Sequence, residues 1–350
     1  TKKGKGYVPA EDNPEKYHMV VPHSKQSEQE TYSDVFAKEL LNLADSDSRI
    51  CAITAAMCTG TGLDLFRQKH PERFFDVGIA EAHALTFAAG LSASGMKPVF
   101  AVYSSFLQRA YDNIIHDLAL QNLSCVLCID RAGLATGDGI THHGIYDAAF
   151  LSQIGNTEIY APVREKSLRV ALKEAIDGNS ISAIRYSKGS ENEGITNTLF
   201  EYKKWILSSS AEHDFSNCKC IIITYGRIVS EAKRAADLLE NGIGIILLEK
   251  IKPLDDVASA LRELLPKQPC LLLFLEEAIY AGGIGMLLFD QVRNETIMKN
   301  KKYEILAIDT LPEQGTLRDL YRDCNLSAEY ICKRYNEYSE GTCDLTHSCT

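Results

Sequence analysis

From residue 32 to residue 338 the chain alternates short, fully apolar runs with segments of helical period, a rhythm that few folds can absorb. Apolar runs predict strands over 50–55, 74–77, 98–103, 125–130, 158–160 and 182–186. Helices are predicted between them: one starting at Tyr32, then 62–69, 79–94, 107–121 and 165–176. A second series follows, with strands over 220–224, 245–248, 271–275 and 303–307. Its helices are predicted near 230–240, 255–265, 284–294, 316–321 and 327–338. A strand without polar alternation is covered on both faces, so strand–helix repetition of this kind implies an α/β fold with helices on both sides of parallel or mixed sheets.

Two such sheets in succession are expected. The polar, Ser- and Asn-rich stretch 188–217, with the lone Trp205, interrupts the rhythm and is read as the connection between domains over 31–187 and 218–340. Residues 1–30 are polar and read as a linker from a preceding domain, and 341–350 as a tail. The first residue is Thr rather than Met, so the chain is expected to begin inside a longer polypeptide.

At 350 residues there is apolar surface enough for two cores, with 45% hydrophobic and 24% charged residues. A formal net charge of -10 disfavours nucleic acid or an anionic membrane as partner. No apolar stretch reaches the roughly 18 residues of a membrane span, and no signal peptide is seen. Eleven cysteines without framework spacing read as reduced thiols of a cytoplasmic protein. Cys125 and Cys128 form a C-x-x-C, but on a strand that odd separation points them to opposite faces, unlike a redox pair.

Two glycine clusters fail as nucleotide fingerprints. Gly60-Thr61-Gly62 has Leu65, and Gly283-Ile284-Gly285 has Leu288, where a third glycine is needed. Both fit tight strand-to-helix turns. The informative stretch is 76–147. Glu81 falls in the first turn of a helix after a strand, where a carboxylate is stabilised by the helix N-terminus, so a capping acid fits the pattern. Tyr103, Phe106 and Arg109 follow the end of a strand, the place where ligands of open α/β sheets gather. The glycine-rich loop 131–144 also follows a strand end and concentrates Arg131, Asp138, His142 and His143. No third metal ligand stands near the two histidines, so no metal site is predicted, and hydrogen-bonding or proton-transfer roles suit them.

The runs DVGIAEAHALTFAAGL (76–91), VYSSFLQRAYDNIIHDLALQ (102–121) and IDRAGLATGDGITHHGIYD (129–147) resemble the pyrimidine-binding domain of the 1-deoxy-D-xylulose-5-phosphate synthase family. These are transketolase-like enzymes that use thiamine diphosphate. TKKGKGYVPAED (1–12) resembles that family's connector out of its diphosphate-binding domain. ITYGRIVSEAKRAADLL (223–239), KIKPLD (250–255), FLEEAIYAGGIG (274–285) and EQGTLRDLY (313–321) resemble its C-terminal domain.

The resemblance implies an acyloin-forming transferase that joins pyruvate, with loss of CO2, to D-glyceraldehyde 3-phosphate. The product feeds isoprenoid-precursor, thiamine and pyridoxal synthesis. It implies Glu81 as the acid that hydrogen-bonds the cofactor's aminopyrimidine, and Phe106 as the ring stacked on it. Tyr103, Arg131 and Lys188 are implied as acceptor-phosphate contacts, with Arg109 a charged neighbour. Asp138 and His142 would handle the donor, the intermediate or the acceptor hydroxyl. The ligands of Mg2+ and of the diphosphate are expected in an N-terminal half outside this chain, which alone would be inactive; a homodimer is expected.

Three positions depart from the family: Ala82 and His143 stand where Gln is usual, and Lys188 replaces an arginine in the Arg185–Gly189 segment, losing the guanidinium's bidentate geometry. Rival readings are the beta subunit of a 2-oxoacid dehydrogenase, another transketolase-like enzyme, or a homologue that only assembles or regulates.

Overall fold

A computed structural model describes residues 4–12, 17, 29–239 and 242–341. Residues 1–30 and 31–350 form separate units. In the first, the described part of the expected linker holds one turn of helix, Val8–Asp12, with Glu11 accepting from the Gly6 backbone N–H at 2.9 Å. Apart from Gly341, the expected tail lies outside the described residues.

The second unit is built on two sheets. The first contains β1 (Ile50–Thr54), β2 (Phe74–Asp76), β3 (Lys97–Tyr103), β4 (Cys125–Asp130), β5 (Thr157–Tyr160) and β6 (Ile181–Arg185). The next strands along the chain are β7 (Phe200–Lys203), β8 (Ile206–Ser208), β9 (Cys220–Tyr225), β10 (Ile243–Leu248), β11 (Lys250–Lys252), β12 (Leu271–Ile279) and β13 (Lys302–Ile308). Sheet order is β11-β5-β6-β4-β3-β1-β2 in one and β13-β12-β9-β10-β8-β7 in the other. Strands β1 to β6 pair in parallel, as do β9, β10, β12 and β13. Antiparallel pairing is confined to edges: β11 on β5, β8 on β10 and β7 on β8.

Full burial of β4 follows from its sequence. Cys125, Leu127 and Ile129 enter one apolar cluster while Val126 and Cys128 enter another on the opposite face. The C-x-x-C is thereby split across the sheet, and burial pushes both thiols up. Helix Tyr32–Ser46 starts on a capping box in which Thr31 and Asp34 satisfy each other's backbone N–H.

Three local expectations change. The helix expected over 107–121 starts instead at Ser104, directly after β3. It runs as short turns of changing pitch and ends in a π-helical stretch, Ile114–Ala119. The polar stretch 188–217 carries helix Glu193–Thr196 and strands β7 and β8, which extend the second sheet. Strand β11 comes from the second half of the sequence but pairs with β5 of the first sheet, where Lys250 bonds Glu158 at 2.9 Å. All three strands have only three or four residues, too few to carry a hydrophobic period, and β7 and β11 are polar strands at sheet edges. Among the described residues no helix is long and apolar enough to cross a membrane.

Candidate functional site

Strands β6, β4 and β3 are neighbours in the sheet, so their C-terminal ends bring distant parts of the sequence to one place. Tyr103 ends β3, Asp130 ends β4 with Arg131 next, and Arg185 ends β6 with Lys188 three residues on. The Arg131 guanidinium lies 3.8 Å from the centre of the Tyr103 ring. Tyr103 stacks on Phe106 with ring centres 5.8 Å apart, and His142 meets Phe106 edge-on at 5.4 Å. Arg109 lies over Phe106 at 5.2 Å and donates to Glu81 at 2.9 Å. On the other side Asp138 sits 3.7 Å from Arg131 and 3.5 Å from the Lys188 ammonium. The eight residues singled out in the sequence thus form one continuous chain of contacts, from Glu81 through to Lys188.

Glu81 is the first residue of helix Glu81–Ala93 and is 3% exposed. Its hydrogen bond comes from Arg109, not from the helix's own N–H groups, so capping does not account for it. Burial costs a carboxylate several kcal/mol unless it is paired, and Arg109 supplies the pairing. Tyr103 is largely buried, which pushes its hydroxyl up against the opposing pull of Arg131. Arg131 itself holds a left-handed φ of 60°, a conformation non-glycine residues adopt at a cost. The guanidinium lies against the Tyr103 ring.

One position departing from the family, His143, takes a structural role. His143 is buried, and its Nδ1 accepts from the Ala135 N–H at 2.9 Å, so its proton lies on Nε2, which donates to the Pro312 carbonyl at 3.2 Å. It ties the loop down and is not available for proton transfer. Lys188 is half-exposed. Its segment neighbour Arg185 is buried and spent on a bidentate pair with Asp147, at 2.9 and 3.1 Å. Arg185 is therefore committed to the fold.

Other residues shape the site in ways their sequence context does not reveal. A Cβ on Gly60 would overlap the Tyr103 hydroxyl, so this glycine, within the turn that leads from β1 to helix Asp64–Lys69, also makes room for a side chain. Glu277, two residues before the end of β12, reaches back to the loop 131–144: it accepts from the Leu134 N–H at 2.7 Å, from Arg227 at 2.6 Å and from the Tyr321 hydroxyl at 3.1 Å. Gly133, with φ of 93°, passes so close that a Cβ there would meet the Glu277 carboxyl at 2.7 Å. The second sheet holds the loop that carries Arg131, Asp138 and His142. A groove of about 950 Å3 runs along helix Glu165–Asp177 and shares no lining residue with this cluster. Among the described residues no group of three or more His, Cys, Asp or Glu could hold a metal ion.

A mixed α/β pair of sheets with a buried acid beside an aromatic face at the strand ends defines a class that the comparisons identify. The transketolase pyrimidine-binding domain matches residues 28–192 and the transketolase C-terminal domain residues 209–331, and the chain belongs to the transketolase family. Among its relatives, 1-deoxy-D-xylulose-5-phosphate synthase of Clostridium perfringens (strain SM101 / Type A) is 42% identical over 343 residues, 95% of this chain and 54% of that protein. The enzyme of the same name from Aquifex aeolicus (strain VF5) is 43% identical over 351 residues, 97% of this chain and 55% of that one. The chain spans about half the length of the curated relatives it matches. In fold it is similar to a split gene transketolase described as an inactive beta4 tetramer, with TM-score 0.71 and 21% identity over 88% of this chain and 97% of that one. A transketolase from Campylobacter jejuni subsp. jejuni NCTC 11168 gives 0.70 and 15%, over 95% and 50%.

Proposed function

We propose that the chain is the pyrimidine-binding and C-terminal part of a 1-deoxy-D-xylulose-5-phosphate synthase, which joins pyruvate, with loss of CO2, to D-glyceraldehyde 3-phosphate. One observation carries the reading: a carboxylate 3% exposed, Glu81, is bridged by Arg109 to the Phe106 ring, offering a buried acid and an aromatic face side by side. That donor set fits an aminopyrimidine, which needs an acceptor in the ring plane and a surface to stack on. Thiamine diphosphate, when bound, supplies the carbanion chemistry. Glu81 would hold its far ring nitrogen and Phe106 would lie against its ring.

The remaining residues suit the substrates. Arg131, Tyr103 and Lys188 would bind the acceptor phosphate, with the guanidinium already oriented by the tyrosine ring. Asp138 and His142 face the same space and would hold the donor or the acceptor hydroxyl and move a proton to or from it. Magnesium and the diphosphate would be held by a separate diphosphate-binding half. A homodimeric assembly and a cytoplasmic location belong to the same reading.

Calorimetry with magnesium and thiamine diphosphate on the 350-residue chain, followed by a coupled product assay with and without the diphosphate-binding half, tests it. The chain alone is expected to bind the cofactor weakly and to make no product, and the mixture to make deoxyxylulose phosphate. Turnover by the 350 residues alone, or transfer only to unphosphorylated aldehydes by the mixture, would overturn the reading.

A further inference from the structure

Asp130 ends β4 and precedes Arg131, and nothing above gives it a role. It is 1% exposed. A carboxylate so deep needs several donors or a cation in contact. The support here is thin: the Ser33 hydroxyl donates at 2.7 Å and the Arg131 backbone N–H faces it. Groups of charge or titration surround it from every packed element. They are Tyr103 on β3, Cys128 on its own strand, Tyr186 and Lys188 after β6, and Arg131 in the loop, with Asp138 beyond. The buried Tyr186 hydroxyl has no hydrogen-bond partner.

We propose that Asp130 is a positioning residue of the Arg131–Lys188 cation pair: ionised, it cancels part of their charge, and protonated, it frees the pair for the anion of a phosphorylated substrate. The cluster has two cations, Arg131 and Lys188, and two carboxylates, Asp138 and Asp130. With both acids ionised it carries no net charge; with Asp130 neutral it carries one positive charge. The Arg131 guanidinium is held against the Tyr103 ring, 3.8 Å from its centre, which favours its staying in the cluster. Burial pushes the Asp130 carboxyl up to about 6, against the pull of Ser33, Arg131 and Lys188, so the change of charge falls near neutral pH. The inference rests on the phosphate reading of Tyr103, Arg131 and Lys188.

Sulfate remains a dianion throughout this range, which makes it the probe. Its binding to the 350-residue chain, followed by calorimetry from about pH 5 to about pH 8, should tighten as pH falls through about 6. The gain expected is roughly three- to tenfold, what one nearby unit charge is worth at a protein surface. Asp130→Asn should hold sulfate at the tight value at every pH. Ser33→Ala removes a donor to the ionised form, so the midpoint should move to higher pH. Arg131→Ala should weaken sulfate throughout. A pH dependence that survives in Asp130→Asn overturns the proposal. So does an unshifted midpoint in Ser33→Ala, which decides the matter if the asparagine variant fails to fold. Absence of sulfate binding at any pH, unchanged by Arg131→Ala, overturns the phosphate reading itself.

Discussion

The Glu81 carboxylate, 3% exposed, accepts a hydrogen bond at 2.9 Å from an Arg109 guanidinium that is more than half exposed. One partner belongs to the interior and the other to the open face of the site. The pair therefore joins an exposed cation to a buried acid, and the acid is the member whose removal should matter.

Glu81→Gln preserves the shape of the side chain and can still accept from Arg109. Denaturant unfolding of the chain should shift by about 1 kcal/mol or less. In the assembly with a diphosphate-binding half, exchange of the thiazolium proton should collapse. Near-normal exchange, measured by proton NMR, would contradict the assignment of Glu81 to the aminopyrimidine.

Glu277→Ala strands three donors at once, Leu134 N–H, Arg227 and the Tyr321 hydroxyl, all in or near the interior. A loss of about 3 kcal/mol in unfolding free energy is expected, because the largely buried guanidinium is left without its anion. Amide exchange at Leu134 and Gly144 should quicken more than in β4. Uniform exchange changes would mean that Glu277 does not hold the loop.

Lys188→Ala removes a half-exposed ammonium 3.5 Å from Asp138. Solvent screening reduces its worth, so the apparent acceptor affinity should fall by about 1 kcal/mol, roughly fivefold. Arg131→Ala removes a partly buried, stacked guanidinium, and the fall should be larger. Steady-state kinetics with varied glyceraldehyde 3-phosphate orders the two; the reverse order would remove Arg131 from the phosphate pocket.

Stability should also fall as pH rises toward neutrality. Glu276 is fully buried under Tyr225 and the backbone N–H groups of Ile284 and Gly285, and burial lifts its carboxyl to about 7. A raised acid binds its proton more tightly in the folded state. Its contribution is therefore complete below the ordinary glutamate range and lost as pH climbs to about 7. The loss is on the order of 3 kcal/mol. Glu276→Gln should flatten urea-unfolding free energies between about pH 5 and about pH 7, and an unaltered slope would assign the effect elsewhere.

The order of strands and helices was legible because both depend on local period. β4 is visible as an apolar run bounded by Ser124 and Arg131, and seven of the eight site residues stand in local motifs at strand and helix ends, Lys188 entering only through the family resemblance. Their role as one cluster was not legible, nor was the commitment of Arg185 and His143 to the fold. Nothing local distinguishes an arginine that meets Asp147 from one that meets a phosphate.

Sequence alone therefore determined the α/β class, the buried strands and the family to which the motifs point. Tertiary structure alone decided which strand ends stand side by side. It placed β11 on the first sheet, set Glu277 against Leu134, and buried Asp130 beneath Arg131. The physical reason is range. Propensity and period act over a few residues, whereas the Glu81–Lys188 cluster and the Glu277–Leu134 bond join positions far apart in the chain. Those contacts exist only once the order and register of the sheets have been fixed by packing of the whole core.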